Sequence, residues 1–148
     1  MIAVVQRVSR SRVSVNGKKV SEIGRGVNVL LGVLRGDSEE DSLKLARKIA
    51  HLRIFEDEKG KFQYSLKEVG GSALVVSQFT LCASLKKGRR PSFELAEEPG
   101  RAEELYNLFV EALGDEGIKA QKGVFGAVME VEIINWGPVT FVMDSREL

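Results

Sequence analysis

The sequence holds one cysteine, Cys82, and one histidine, His51. A single thiol excludes an internal disulfide and fits a reducing cytoplasm, which is the expected location. One imidazole and one thiol fall short of the usual zinc ligand set, so no metal is expected, and no other cofactor is implied. An excess of one charge sign is also lacking. With 22 basic and 21 acidic residues the net charge is +1, so any nucleic-acid site must be local, and no DNA partner is expected. Long apolar runs are absent: Val27–Leu34, which contains Asn28 and Gly32, is far too short to cross a membrane. Met1–Arg7 reads as a strand without signal-peptide layout. No GxxxxGK[ST] occurs, and "GRGVNVLLG" lacks dinucleotide-fold spacing and precedes a strand, leaving phosphate-loop chemistry unsupported.

Proline is scarce as well, at three residues, and one of them stands in an odd place. Gly137-Pro138, within "NWGPVT", interrupts a run that otherwise reads as one long buried strand from Val128 to Met143. Proline has no backbone N–H to give to a ladder, so a central strand should exclude it.

What is present describes one soluble domain over residues 1–148, 43% hydrophobic and large enough for a core without staples. Strands are expected over Ile2–Val8 and Val13–Val15, the latter turning through Asn16-Gly17 into Lys18–Val20, because Asn-Gly suits the positive φ angles of a type I′ turn. Val27–Leu34 should be a strand buried on both faces. A helix is expected from about Ser38 to His51, opened by a Ser38/Asp41 capping box, with Leu45, Ile49 and Leu52 on its apolar face. Ala73–Phe79 reads as the next strand, residues 84–100 as an irregular charged connection, and Pro99 as the first turn of a second helix ending at Gly114 or Gly117. Further strands are expected over 118–122, 127–134 and 138–143. The fold class is α+β: a curled, mostly antiparallel β-sheet or open barrel with two packed helices.

Three stretches carry chemistry beside a plain structural reading. Ser77, Gln78, Phe79 and Thr80 end an apolar strand, where side chains can reach a cleft. They read equally as a strand end whose hydroxyls bond the next turn. Phe125, Gly126, Ala127 and Met129 offer close backbone approach and flat apolar surface to a base, or form a core strand with a bulge. Lys86, Lys87, Arg89 and Arg90 suit phosphates, or are a solvated loop. His51, within a helix and with no nucleophile near it in sequence, reads as structural, and Cys82 as a small buried residue.

"SQFTL" at 77–81 together with "GPVT" at 137–140 resembles the D-aminoacyl-tRNA deacylases. "MIAVVQRV" at 1–8, "LRIFEDEKGK" at 52–61, "VGG" at 69–71, "KKGRRPSF" at 86–93 and "FGAVM" at 125–129 extend the likeness over essentially the whole chain. The resemblance implies hydrolysis of the ester joining a D-amino acid, or glycine, to the 3′-terminal adenosine of tRNA. It implies a homodimer with active sites at the interface, where a cis Gly137-Pro138 of one subunit enters the other's pocket. There its carbonyls would receive the α-ammonium and leave no room for an L-side chain, so that selection works by exclusion. Ser77, Gln78, Phe79 and Thr80 would line the catalytic pocket, with Thr80 either a nucleophile or dispensable beside the substrate's 2′-hydroxyl and main-chain groups. Phe125, Gly126, Ala127 and Met129 would receive the adenine. Arg7 would support the Gly-Pro loop, which Thr140 follows, and Lys86, Lys87, Arg89 and Arg90 would meet phosphates. Trp136, and Cys82-Ala83-Ser84, depart from the family's usual residues. A non-catalytic tRNA- or nucleotide-binding module is the alternative from another class, and a small threonine esterase a third.

Overall fold

The computed structural model describes residues 1–148. Strand β1 spans Ile2–Val15 without a break, where two shorter strands were expected. Its polar middle stays extended because Glu132 lies across the ladder, meeting Arg10 at 2.9 Å and Arg12 at 2.7 Å, while its carbonyl accepts the Ser11 hydroxyl at 2.8 Å. Asn16 (φ 52°) and Gly17 (φ 76°) then turn the chain into β2, Lys18–Ile23, as a type I′ hairpin requires. Strand β3, Gly26–Gly32, runs antiparallel to β1 and is buried on both faces except at Leu30.

Helix α1, Glu39–His51, starts at the expected cap: the Ser38 N–H donates to the Asp41 carboxylate at 2.8 Å. It is followed by β4, Arg53–Glu56, and β5, Phe62–Ser65, a small hairpin whose strands are too short for periodicity to announce. A single turn, α2, covers Leu66–Val69. Strand β6, Ser72–Ser77, lies parallel to β3. Helix α3, Pro99–Asp115, begins under the Glu98 carboxylate, which accepts the Arg101 N–H at 2.6 Å, and leads to β7, Lys119–Lys122, parallel to β6. Both connections to parallel neighbours carry helices, as parallel pairing demands.

The last strand, β8, runs from Glu130 to Asp144 and pairs antiparallel with nearly all of β1. The sheet order is β2-β1-β3-β6-β7, with β8 on the free side of β1, so the sheet curls into a nearly closed, mixed barrel. Three of its strand pairings are antiparallel and two are parallel, and the β4–β5 hairpin forms a separate antiparallel pair. A 24-residue apolar cluster fills the space between the sheet and the parallel helices α1 and α3. A smaller cluster, Val8, Val13, Ile23, Leu74 and Val76, lies on the opposite face inside the curl, closed by Met129, Val131 and Ile133. No helix is long and apolar enough to cross a membrane.

The strands expected over 127–134 and 138–143 are therefore one. Gln6 pairs with Thr140 and Val8 with Asn135, so Trp136, Gly137, Pro138 and Val139 all stand opposite Arg7 alone. The missing proline donor is accommodated by a wide bulge on an edge strand, where no ladder bond is owed. Residues 127–129 stay outside the strand because Gly126 (φ 75°) turns the chain just before them.

Candidate active site

Strand β6 stops at Ser77, two residues earlier than expected. Gln78 leaves the ladder (φ −140°, ψ 79°), and its N–H reaches back to the Leu31 carbonyl at 2.8 Å. Phe79–Cys82 then forms one 3-10 turn, held at its far end by the buried Cys82 thiol, which donates to the Val33 carbonyl at 3.4 Å. Burial pushes that thiol's pKa up, which keeps it protonated and inert. The two bonds bracket Gly32, where an added Cβ would sit 3.0 Å from both Cys82 Sγ and the Gln78 carbonyl oxygen. The turn is thus seated directly on β3. A helical turn gives its first N–H groups no internal acceptor, and the Phe79 and Thr80 amides have no backbone partner.

Ser77, Gln78 and Phe79 form one wall of an open cleft of about 660 Å³, and Phe125, Gly126, Ala127 and Met129 form another. The cleft thus unites two stretches that lie far apart in sequence. Phe125 is backed by Tyr106 at 5.8 Å between ring centroids. The Tyr106 hydroxyl donates to the Val75 carbonyl at 2.7 Å, and burial pushes its pKa up to about 12. Val128 is 93% exposed and takes no part in the cleft. Thr80 is exposed outside the lining, its hydroxyl hydrogen-bonded by the Gln78 side-chain amide.

The basic loop adjoins this cleft. Ser84 and Ser92 exchange backbone bonds at 2.8 and 2.9 Å, closing a loop that carries Lys86, Lys87, Arg89 and Arg90, all exposed. Phe93, directly after it, lines the cleft and packs on Phe79 with centroids 5.0 Å apart. Phe93 was not singled out from sequence, since its aromatic partner is long-range and leaves no local signal.

His51 is remote. Its Nε2 lies 2.8 Å from Glu116 at the far end of α3, about 25 Å along that helix from the cleft at its N-terminus. No group of three or more His, Cys, Asp or Glu side chains converges anywhere in the chain.

Gly137 and Pro138 do not line the cleft. They sit on the exposed crest of the β8 bulge, joined by a cis peptide bond. Arg7, only 2% exposed, braces the bulge from below. Its Nε donates to the Trp136 carbonyl at 2.9 Å, Nη1 to the Ile54 carbonyl at 2.9 Å, and Nη2 meets Glu56 at 3.3 Å. This one planar fork joins β1, β4 and the bulge, a geometry that lysine's point charge does not reproduce. The flanks of the bulge are apolar and uncovered: Ile134, Trp136 and Val142 on β8, with Phe62 and Tyr64 on β5, are all exposed. Thr140 resumes the ladder opposite Gln6.

The family described as D-Tyr-tRNA(Tyr) deacylase matches residues 4–144. A protein of Aquifex aeolicus named D-aminoacyl-tRNA deacylase is 61% identical over 148 residues and the whole of both chains. One of Persephonella marina with the same name is 62% identical, again over both full lengths. Among solved structures, one described as c-Myc DNA Unwinding Element Binding Protein is 44% identical with a TM-score of 0.90, covering 97% of this chain and 98% of its own. Another, described as a probable eukaryotic D-amino acid tRNA deacylase, shares the fold at a TM-score of 0.84 and 21% identity, covering 96% and 97%. With the cleft built from Ser77–Phe79 and Phe125–Met129, and with family and relatives matching from end to end, the chain belongs to the D-Tyr-tRNA(Tyr) deacylase family of enzymes.

Proposed function

We propose that this protein hydrolyses the ester of D-aminoacyl-tRNA, and of glycyl-tRNA mischarged on tRNA-Ala, working as a homodimer in the cytoplasm. The observation that carries the proposal is a separation. One chain supplies a cleft suited to a nucleoside and an ester, while its Gly137-Pro138 crest lies outside that cleft, exposed on an uncovered apolar strand. A second copy laid along β8 covers those side chains and brings its own crest to the first copy's cleft. Burial of such a surface is the usual driving force for association.

In this reading the terminal adenine lies against Phe125, Gly126, Ala127 and Met129. The ester carbonyl meets the Phe79 and Thr80 amides, which stabilise the oxyanion formed when water attacks the carbonyl carbon. The bond to the ribose 3′-oxygen then breaks, and that oxygen takes a proton, leaving free tRNA and the amino acid. The substrate's 2′-hydroxyl assists, so no side-chain nucleophile is required. Gly137 and Pro138 of the partner copy accept the α-ammonium and occupy the side where an L-side chain projects. Glycine, with no side chain, enters. Lys86, Lys87, Arg89 and Arg90 hold backbone phosphates at the rim, so raised salt weakens tRNA binding.

Two tests separate this account from its rivals. Thr80→Ala should keep hydrolysis within about tenfold of wild type, because the hydroxyl only caps the Gln78 amide. Total loss would favour a threonine esterase. Specific activity should fall on dilution in step with dimer dissociation measured by sedimentation, and a verified monomer that remains active contradicts the shared site.

A further inference from the structure

Trp136 precedes Gly137 directly and is the only tryptophan in the chain. Its backbone is tied to Arg7 through the 2.9 Å bond to its carbonyl. Its ring is tied as well. The Arg7 guanidinium carbon lies 4.5 Å from the indole centroid, and that of Arg25, from the turn between β2 and β3, lies 5.3 Å away. Both fall within the range where an aromatic quadrupole attracts a cation. Arg25 also stands 5.3 Å from the ring of Phe55, a fully buried residue of β4. Phe55 in turn tilts against the indole at 6.5 Å.

A bulge that pairs with nothing on its outer side has few ways of fixing its projection. Here the crest is held from one end, by a ring set on a buried aromatic and two guanidinium groups. Gly137 itself abuts the same assembly, since a Cβ there would lie 3.2 Å from Arg7 Nη2. Indole, Trp136 carbonyl and Gly137 thus share one support, the Arg7 guanidinium.

We propose that Arg25 and Trp136 are positioning residues that determine specificity: the guanidinium-braced indole sets how far the Gly137-Pro138 crest projects, and so how strictly L-aminoacyl esters are refused. This rests on the exclusion reading above. Neither residue touches substrate. Their effect is expected in discrimination more than in rate: a crest displaced by a fraction of an ångström still reaches the α-ammonium of a D-ester while ceasing to bar an L-side chain, unlike the larger shift that a Cβ on Gly137 itself would force.

The experiment uses the full-length protein with D-tyrosyl-, L-tyrosyl- and glycyl-tRNA, comparing wild type with Trp136→Ala, Trp136→Phe, Arg25→Ala and Arg25→Lys. The D-to-L ratio of kcat/KM should fall about tenfold in Trp136→Ala and about threefold in Arg25→Ala. Trp136→Phe and Arg25→Lys should recover most of it. D-ester turnover should change little in the Arg25 variants, which leave the uncovered β8 face intact, whereas Trp136→Ala truncates that face and is compared at a concentration where sedimentation shows it dimeric. Time-resolved anisotropy of the sole tryptophan supplies a second readout, with greater local motion of the indole in Arg25→Ala than in wild type. Arg25 is exposed, so its variants keep the proposal testable even where Trp136→Ala fails to fold. Unchanged ratios in Arg25→Ala and foldable Trp136 variants overturn the positioning role, as does a loss of dimer with the ratio intact. A wild-type enzyme that cleaves D- and L-esters alike instead overturns the exclusion reading itself, so the two failures are distinguishable.

Discussion

Gly137→Ala should lower kcat/KM for D-aminoacyl-tRNA by about 100-fold while leaving the fold intact. Gly137 sits at φ 134°, a backbone region that side chains rarely adopt. Its absent Cβ would also lie 2.8 Å from Val139 Cγ2 and 2.9 Å from the Val139 nitrogen, distances real Cβ atoms do not tolerate. Both effects push the crest off its position. The bulge is exposed and pairs with nothing outward, so the displacement is absorbed locally and costs about 1–3 kcal/mol of stability. Activity is more sensitive, because a misplacement near 1 Å is enough to spoil a positioned site. Steady-state kinetics with D-tyrosyl-tRNA, read beside the melting temperature, check this. Wild-type turnover in a folded Gly137→Ala protein would remove the crest from the mechanism.

The second large effect is expected at Arg7. Arg7→Ala removes three bonds at once, stranding the Ile54 carbonyl in the interior and freeing the Trp136 carbonyl and the crest. Stability should drop by about 2–4 kcal/mol, since leaving buried polar groups unpaired costs more than the bonds themselves contribute. Activity should fall at least tenfold at temperatures where the variant is still folded. Arg7→Lys should restore only part of either property, because an ammonium cannot serve three acceptors spread over β4 and the bulge. Calorimetry and kinetics on the same preparations separate the two effects. A lysine variant equal to wild type would mean that charge alone, and not the fork, holds the bulge.

The parts of the fold that were legible in the sequence are those written in local chemistry. The Asn16-Gly17 hairpin, the Ser38/Asp41 cap and the Pro99 helix start all have short-range causes, and all stand where they were expected. What was not legible depends on partners distant in the chain. β1 is one strand because β8, over a hundred residues away, pairs along nearly its whole length, with Glu132 meeting Arg10 and Arg12 across the ladder. Strand β6 ends at Ser77 because Gln78 (ψ 79°) turns the chain into a 3-10 turn anchored by Cys82 on the Val33 carbonyl, a long-range contact that no local pattern reveals. β4 and β5 are four residues each, too short for alternation to register.

The site divides in the same way. Ser77–Phe79 and Phe125–Met129 could each be singled out, yet each also read as plain structure. Only the cleft that brings them together favours a ligand. Arg7 entered the sequence reading through resemblance, and the fork now gives it a physical cause. Arg25, Phe55 and Phe93 carried no local signal, since their aromatic and cationic partners meet them only in the folded chain. Trp136 was noticed as a departure from the family's usual residue, and its ring contacts say what that departure brings with it.

The measurement that bears most directly on the account is the deacylation of D-tyrosyl-, L-tyrosyl- and glycyl-tRNA by the purified protein under one set of conditions. Rapid loss of the D- and glycyl-esters with the L-ester spared is the predicted result. Cleavage of all three contradicts selection by the Gly137-Pro138 crest, and survival of all three contradicts catalysis and leaves a tRNA-binding module in its place.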